Sequence, residues 1–255
     1  MKKVLVDLTV KEARRVNANC VLLVMHSETP LPDTLPGQFA ELRIDNTPTV
    51  VLRRPISVHS FDAEKNEIGF LVQVVGDGTR WLASLKAGDK LNTLMPLGNG
   101  FTLPQQPGGK YLLVGGGVGS APLYYLAQEL KRNGSDIVLL IGARSEKDLY
   151  LRESYEALGR VEYTTEDGSL GEKGYVTNHS VLNEKFDGIF TCGPKPMMLA
   201  VARYAREKAI ACEVSLENKM ACGLGACLCC VEDTKEGHRC VCTDGPVFSI
   251  DELKW

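Results

Sequence analysis

Cysteine residues near the end of the chain have the types and spacing best suited to chemistry. Six of the nine cysteines lie between Cys222 and Cys242, a density that thiol packing alone does not explain. Cys222, Cys227 and Cys230 follow a C-x4-C-x2-C order, and Cys242 comes after a further loop. This order is typical of the four thiolate ligands of a plant-type [2Fe-2S] cluster. The sequence therefore predicts an iron–sulfur site in this part of the chain.

A cluster of this kind needs a loop that wraps closely around its bridging sulfides. Gly223 and Gly225 permit positive φ angles and place no Cβ in the way of such an approach. Rival interpretations are a four-cysteine zinc site, a disulfide pair and a [4Fe-4S] cluster. Cys227 and Cys230 would form an acceptable zinc knuckle, but the wider spacing to Cys222 suits zinc poorly. The spacing favours [2Fe-2S] over these rivals.

Two surplus cysteines leave the choice of ligands open at this point. If Cys229 were the third ligand instead of Cys230, the spacing would be C-x4-C-x1-C, which matches no cluster loop that we find. Spacing alone does not choose between Cys240 and Cys242. The roles of Cys229 and Cys240 therefore stay open.

The overall composition limits the class of protein. A chain of 255 residues exceeds what one hydrophobic core usually serves, so two domains and a small cluster module are expected. A net charge of -3 and a pI near 5.9 argue against a nucleic-acid partner, which would require a basic face. No apolar run approaches the roughly 20 residues of a membrane span, and no signal-peptide core follows Met1. We expect a cytoplasmic protein, where thiols stay reduced and clustered cysteines bind metal.

The first part of the chain, residues 1–107, consists of short β-rich runs separated by turn residues. Alternation of apolar and polar residues between such turns predicts a small antiparallel β-barrel. The predicted strands cover residues 3–9, 20–26, 38–44, 57–61, 68–75 and 90–94. One short helix is expected over residues 79–85.

Two motifs in this barrel could hold a pyrophosphate. Arg54 and Ser57 would place a guanidinium and a hydroxyl on one side of a strand. Gly78 and Thr79 open the short helix, whose free N–H groups could face the same phosphates. Each motif has an ordinary alternative, since an arginine on a strand is often solvated and Gly-Thr often only starts a helix. Their order along the chain favours the phosphate site.

The second part, residues 108–212, alternates strands and helices, which predicts an α/β nucleotide-binding unit with a parallel sheet. An apolar strand over 111–114 leads into a glycine run and a helix over 123–132. Further strands are predicted over 136–141, 161–164 and 188–192, and helices over 147–158 and 195–208.

The glycine run resembles a dinucleotide fingerprint but departs from it. Gly117 and Gly119 are followed by Pro122, where the third glycine of G-x-G-x-x-G would stand. Proline suits a first helical turn, and the glycines still permit close approach of a phosphate. No acidic residue ends the second strand, and Arg144 stands there instead. The ribose is therefore not expected to be held in the Rossmann manner, and Arg144 could reach a 2′-phosphate.

A second motif, Cys192, Gly193 and Pro194, ends one strand of this unit and starts its last long helix. It is expected to face the same crevice at the carboxyl edge of the sheet, where the thiol could lie beside a nicotinamide ring. The ordinary alternative is a buried cysteine that packs as a small hydrophobic residue, and Cys192 by itself favours that alternative.

Together these motifs resemble the ferredoxin-NADP reductase superfamily along its whole two-domain length. With the cluster loop and the Asp-Gly-Pro-Val-Phe segment after Cys242, the chain is similar to the electron-transfer subunits of dihydroorotate dehydrogenase B. The resemblance implies a multi-domain β plus α/β protein. Its expected parts are an antiparallel FAD-binding β-barrel (1–107), a parallel-sheet NAD-binding α/β domain (108–212) and a C-terminal [2Fe-2S] module (213–255).

The resemblance also assigns residues to cofactors. It implies that Cys222, Cys227, Cys230 and Cys242 bind the cluster, because the family's fourth ligand directly precedes the Asp-Gly-Pro-Val-Phe segment. The residues expected to contact or flank FAD are Arg54, Pro55, Ile56, Ser57, Leu71, Val72, Gln73, Gly78 and Thr79. The residues expected at the NAD crevice are Gly115, Gly116, Gly117, Gly119, Pro122, Cys192, Gly193 and Pro194.

The implied function is electron transfer in pyrimidine (UMP) biosynthesis. In the family, electrons pass from a catalytic partner subunit, which contains FMN and oxidises dihydroorotate to orotate, through the cluster and FAD to NAD. The expected assembly is a heterotetramer with two copies of each subunit. Alternatives are the small subunit of a ferredoxin-NADP reductase or sulfide dehydrogenase complex, and a regulatory nucleotide-binding module with structural zinc.

Overall fold

The computed structural model describes residues 2–255 and begins with a closed six-stranded antiparallel barrel. The strands follow one another around the barrel in the order β1-β2-β5-β4-β3-β6. Their bounds are β1 Val4–Asn17, β2 Cys20–His26, β3 Phe39–Leu42, β4 Arg54–Asp62, β5 Glu67–Gln73 and β6 Lys90–Leu97. All six predicted strands are thus present, and β1 is longer than expected because it bends through two bulges and pairs with both β2 and β6.

The inside of the barrel is filled by the apolar residues of the alternating pattern. Leu8, Leu23, Phe70 and Leu91 come from four different strands and are inaccessible to solvent. The predicted short helix is α1, Asp77–Leu82, and its buried Leu82 joins the same core. Closure of the sheet leaves no unpaired edge strand in the barrel, and it brings β3, β4 and β6 side by side.

The second sheet has seven strands in the order β10-β9-β8-β7-β11-β12-β15 and is parallel except for β15. Its strands are β7 Lys110–Gly116, β8 Asp136–Ala143, β9 Arg160–Thr165, β10 Glu172–Lys173, β11 Gly188–Cys192, β12 Cys212–Ser215 and β15 Val247–Ser249. Helix α2, Ser120–Arg132, and helix α4, Lys195–Glu207, cover opposite faces. Leu112 packs with α4 and the adjacent Leu113 with α2, as the period of two in a strand requires. The predicted parallel α/β unit is confirmed.

The prediction of one helix over residues 147–158 is wrong. A 3-10 turn, Glu146–Asp148, is followed by a separate short helix α3, Arg152–Glu156. Leu151 between them has a φ of 55°, which interrupts helical geometry. Asp148 caps its own turn by accepting hydrogen bonds from the N–H and hydroxyl of Ser145. The break lets Tyr150 pack against the barrel.

The C-terminal segment is built into both preceding units. It forms a two-stranded hairpin, β13 Val231–Thr234 and β14 Gly237–Cys240, and then adds β15 to the parallel sheet beside β12. Asn99, just beyond the barrel, donates hydrogen bonds to the carbonyls of Thr243 and Asp244. Strand β12 was not predicted, and it crosses position 212, where the second and third predicted domains meet.

Candidate functional site

The two pyrophosphate motifs of the barrel lie in direct contact. Arg54 is the first residue of β4, and its side chain passes against Gly78 at the start of α1. A Cβ at Gly78 would lie 2.6 Å from Nε of Arg54, so only glycine leaves the guanidinium in this position. The spacing of Arg54 and Gly78 in the sequence does not indicate this contact. It arises because the barrel closes. The arrangement fits an anionic group held by Arg54 beside α1.

The hydroxyl of Thr79 is already engaged within the turn before α1. It accepts hydrogen bonds from the N–H groups of Val75 and Gly76, at 2.9 and 3.0 Å, and donates to the carbonyl of Gly76. Thr79 is therefore placed to fix the turn that carries Gly78 against Arg54.

The remaining residues predicted near FAD divide between the barrel wall and its interior. Pro55, Ile56 and Ser57 follow Arg54 along β4 and are partly exposed. In β5, Val72 is fully buried in the barrel core, Leu71 is buried on the outer side against the second domain, and Gln73 lines the cleft described next. The side chain of Val72 thus faces the barrel core, and only its backbone could contact a cofactor.

The glycine run and the Cys192 motif also lie against each other. A Cβ at Gly119 would lie 2.5 Å from both the carbonyl oxygen of Cys192 and Cα of Gly193. A Cβ at Gly116 would lie 2.9 Å from Cδ of Pro194. Gly117 has a φ of 54°, which turns the chain from β7 into the 3-10 turn that precedes α2. Both motifs thus form one wall at the carboxyl end of the sheet.

A cleft of about 780 Å³ opens at this wall, between the barrel and the parallel sheet. This volume lies within the usual range of small-molecule and cofactor sites. The cleft is lined by the predicted residues Gly116, Gly117, Gly119, Gly193, Pro194 and Gln73. The predicted residues Gly115, Pro122 and Cys192 do not line it. Gly115 packs on Ser120, and Pro122 is buried in the first turn of α2.

The thiol of Cys192 lies in the core rather than in the cleft. It is 1% exposed and packs in the apolar cluster beneath the sheet. Burial raises its pKa well above the ordinary value. The thiol is therefore neutral, and it packs as a small apolar group directly behind the cleft wall.

Several residues that line the cleft carry no sequence motif. Tyr150 reaches it because of the break at Leu151, and its hydroxyl lies 3.8 Å from where a Cβ of Gly117 would stand. Glu217, just after β12, also lines the cleft, and desolvation by the walls raises its pKa although part of the residue is exposed. Cys20 lines it from the barrel side. These positions depend on contacts between distant segments.

Arg144 and Glu166 lie at the ends of the neighbouring strands β8 and β9, and both line the cleft. The backbone N–H of Glu166 donates to the carbonyl of Ala143, which fixes the two ends side by side. An acidic residue thus lies at the cleft after the third strand of this unit, whereas none follows the second strand.

The cysteine loop directs backbone N–H groups at sulfur atoms. Leu224 donates to Sγ of Cys222 at 3.3 Å, and Gly225 donates to Sγ of Cys242 at 3.2 Å. The N–H of Cys242 points to Sγ of Cys230 at 3.4 Å. Gly223 and Gly225 have φ angles of 66° and 81°, as the predicted wrapping of the loop requires.

The N–H groups of Leu224 and Gly225 favour the thiolate form of the sulfur atoms to which they donate. Backbone hydrogen bonds lower the pKa of Cys222 to about 6, whereas burial raises the pKa of Cys242. A [2Fe-2S] cluster places only two protein ligands on each iron. The loop and its N–H donors therefore fit the cluster.

The surplus cysteines differ in their surroundings. Cys229 is exposed on the loop. Cys240 ends β14, and its N–H donates to the carboxylate of Asp244 at 2.7 Å. Cys230 and Cys242 are both buried, and they flank the hairpin at its base. The carbonyl of Cys230 accepts a hydrogen bond from Val241.

The cysteine loop rests on the barrel, beside the strand that carries Arg54. A Cβ at Gly223 would lie 2.9 Å from Cγ of Glu41 in β3 and 3.1 Å from Cδ1 of Leu97 in β6. Strand β3 pairs with β4, so that Leu42 stands opposite Arg54. The cleft, the Arg54 site and the cysteine loop therefore lie around one barrel.

This fold and this site define an oxidoreductase that combines flavin, pyridine nucleotide and iron–sulfur cofactors. Residues 113–203 match the oxidoreductase NAD-binding domain family. Residues 217–254 match the iron-sulfur cluster binding domain of dihydroorotate dehydrogenase B. These matches confirm the predicted fold class and the class of cofactors.

Individual relatives give a more specific assignment. The dihydroorotate dehydrogenase B (NAD(+)) electron transfer subunit of Shouchella clausii is 38% identical over 99% of both chains. That of Caldanaerobacter subterraneus is 44% identical over 86% of both. The chain belongs to the family of dihydroorotate dehydrogenase B electron transfer subunits, which confirms the resemblance seen in the sequence.

A solved structure agrees in fold along nearly the whole chain. It is that of the NADH-dependent reduced ferredoxin-NADP oxidoreductase, a protein of flavin-based electron bifurcation. The TM-score is 0.86 at 31% identity, covering 97% of this chain and 90% of the other. In residues 2–255, no helix combines the length and apolar character needed to span a membrane.

Proposed function

We propose that this chain carries electrons from the FMN of a catalytic partner subunit to NAD, through [2Fe-2S] and FAD, while the partner oxidises dihydroorotate to orotate. The observation that carries the proposal is the packing of Gly223 on β3, which sets the cysteine loop on the barrel that also holds Arg54. Membership of the electron transfer subunit family supports the partner and the substrate.

When bound, FAD exchanges a hydride with NAD and single electrons with the cluster. The chain supplies placement for this exchange. Arg54 would pair with the flavin pyrophosphate. Its guanidinium can take this position because Gly78 has no Cβ. Gly117 would let the dinucleotide approach the start of α2, and Gly119 would hold that start against Cys192 and Gly193. Cys222, Cys227, Cys230 and Cys242 would hold the cluster, as their spacing and N–H donors support.

The proposal includes the three units as predicted, namely residues 1–107 for FAD, 108–212 for NAD and 213–255 for the cluster. It also includes a cytoplasmic heterotetramer with two copies of each subunit. The pairing of β12 with β11 means that the third unit depends on the second for its position.

The experiment is reconstitution of the complex with the catalytic subunit under anaerobic conditions. Dihydroorotate should reduce NAD only when both subunits are present, and NADH alone should bleach the flavin absorbance of this chain. The proposal is wrong if NADH bleaches the flavin but dihydroorotate leaves NAD unreduced in the assembled complex. One zinc per chain, with neither iron nor acid-labile sulfide, would favour the zinc-containing regulatory module.

A second candidate is a subunit of a ferredoxin-NADP reductase complex. It is favoured by the 31% identity to the NADH-dependent reduced ferredoxin-NADP oxidoreductase over nearly the whole chain. The two candidates differ in the partner that copurifies with the chain. NADPH-linked reduction of ferredoxin, without oxidation of dihydroorotate, would support the second candidate.

A further inference from the structure

Glu41 is a buried carboxylate without an obvious structural role. It lies in β3 and is 1% exposed. Neither of its carboxylate oxygens has a hydrogen-bond partner among residues 2–255. A buried carboxylate without partners costs several kcal/mol of stability in general. Because packing of the barrel core does not account for this cost, we expect Glu41 to have a function outside the core.

The charged groups around Glu41 come from the two cofactor regions. Arg53 and Arg54 favour its ionised form, Cys222 opposes it, and burial, the largest effect, raises the pKa of Glu41 to about 7. Arg53 does not pair with the carboxylate. Its guanidinium donates instead to the backbone carbonyl of Glu41 at 3.2 Å and to Asn92. When the carboxyl group of Glu41 is ionised, its charge therefore has no hydrogen-bonded partner that compensates it.

The carboxylate lies directly beneath the cysteine loop. A Cβ at Gly223 would lie 3.2 Å from Oε1 of Glu41, and Gly223 follows the ligand Cys222. Glu41 stands opposite Pro55 in the neighbouring strand β4, which begins with Arg54. The side chain is thus covered by the cluster loop and lies one strand from Arg54, where few water molecules can screen its charge.

We propose that Glu41 acts on the cluster through its charge: the negative charge beneath Cys222 lowers the reduction potential of the cluster. The proposal rests on the proposed function, in which the cluster accepts one electron from the partner's flavin and passes one to FAD. Accepting that electron makes the cluster more negative by one charge. A fixed negative charge nearby disfavours the reduced form and so favours release of the electron.

The test is a redox titration of the cluster in the holoprotein, followed by its electron paramagnetic resonance signal at a pH well above the pKa of Glu41. Glu41→Gln removes the charge at nearly constant volume, and its potential should shift to a more positive value. Glu41→Asp keeps the charge and should retain a potential close to that of the wild type. Glu12→Gln, an exposed carboxylate of β1, is the matched control and should cause no shift.

Iron and sulfide contents are measured for every variant. An unchanged potential in Glu41→Gln with a full cluster would overturn the proposal. If neither Glu41→Gln nor the apolar variant Glu41→Leu retains the cluster, the role is structural and the proposal is also overturned. These readouts do not depend on dihydroorotate oxidation, so failure of the proposed function would be seen separately in the wild-type complex.

Discussion

Replacement of His59 is expected to remove an acid sensitivity from the contact between the barrel and the second domain. His59 lies in β4 and is 3% exposed. Its Nδ1 lies 3.1 Å from the carbonyl oxygen of Ala121 in α2, and its ring stacks on Tyr124 with the centroids 4.5 Å apart. Protonation would place an unpaired charge in this contact. Burial accordingly lowers the pKa of His59 to about 4.

The size of the loss in unfolding free energy follows from the difference in the pKa of His59 between the folded and unfolded states. The unfolded chain binds a proton at His59 below pH 6.5, whereas the folded protein binds it only near pH 4. Between these values unfolding takes up a proton, so stability falls as the pH falls. The difference in pKa between the two states corresponds to about 3 kcal/mol of unfolding free energy. That contribution is complete above pH 6.5 and is lost by about pH 4.

The assay is urea unfolding across this pH range for the wild type, His59→Phe and His59→Gln. Phenylalanine keeps the aromatic stack, and glutamine keeps a hydrogen-bond donor, but neither carries a proton that titrates. Both variants should be less stable than the wild type at neutral pH, and the gap should narrow by about 3 kcal/mol towards pH 4. A gap that stays constant with pH in both variants would refute the reasoning.

Three further substitutions test the cofactor sites. Gly119→Ala should weaken NADH binding at least about tenfold, because the new Cβ would lie 2.5 Å from the Cys192 carbonyl; unchanged affinity in an NADH titration would contradict this. Gly78→Ala should displace Arg54 and lower the flavin content of purified protein, and full flavin absorbance would count against the Arg54 site. Cys242→Ser should lose iron and acid-labile sulfide while Cys229→Ser keeps both; equal losses would show that the ligand choice is wrong.

Local sequence patterns predicted the parts of the fold that depend on neighbouring residues. The six barrel strands follow from alternation and turns, and β7 with its glycine run follows from an apolar run that ends in Gly115. The contact of Gly78 with Arg54 explains why these motifs belong together. It is a steric requirement that spacing alone did not indicate.

The features that escaped prediction depend on tertiary contacts. The positive φ of Leu151 breaks a helix whose sequence favours continuity, since Tyr150 is drawn into the interface with the barrel. Strand β12 has only four residues, and its partners β11 and β15 lie on either side of it in the sheet but far apart in the chain. Glu41 lies in a strand with the ordinary pattern, and only the fold shows it beneath the cysteine loop.

The C-terminal segment is attached to both the barrel and the parallel sheet, and these attachments fix the position of the cysteine loop. Cys242 lies between the hairpin and a segment whose carbonyls bind Asn99 of the barrel, and Phe248 a few residues later pairs with Val214 in β12. Cys230, which precedes the hairpin, packs in the same apolar cluster as Leu97 of the barrel. Movement of the barrel relative to the sheet would therefore strain the cysteine loop.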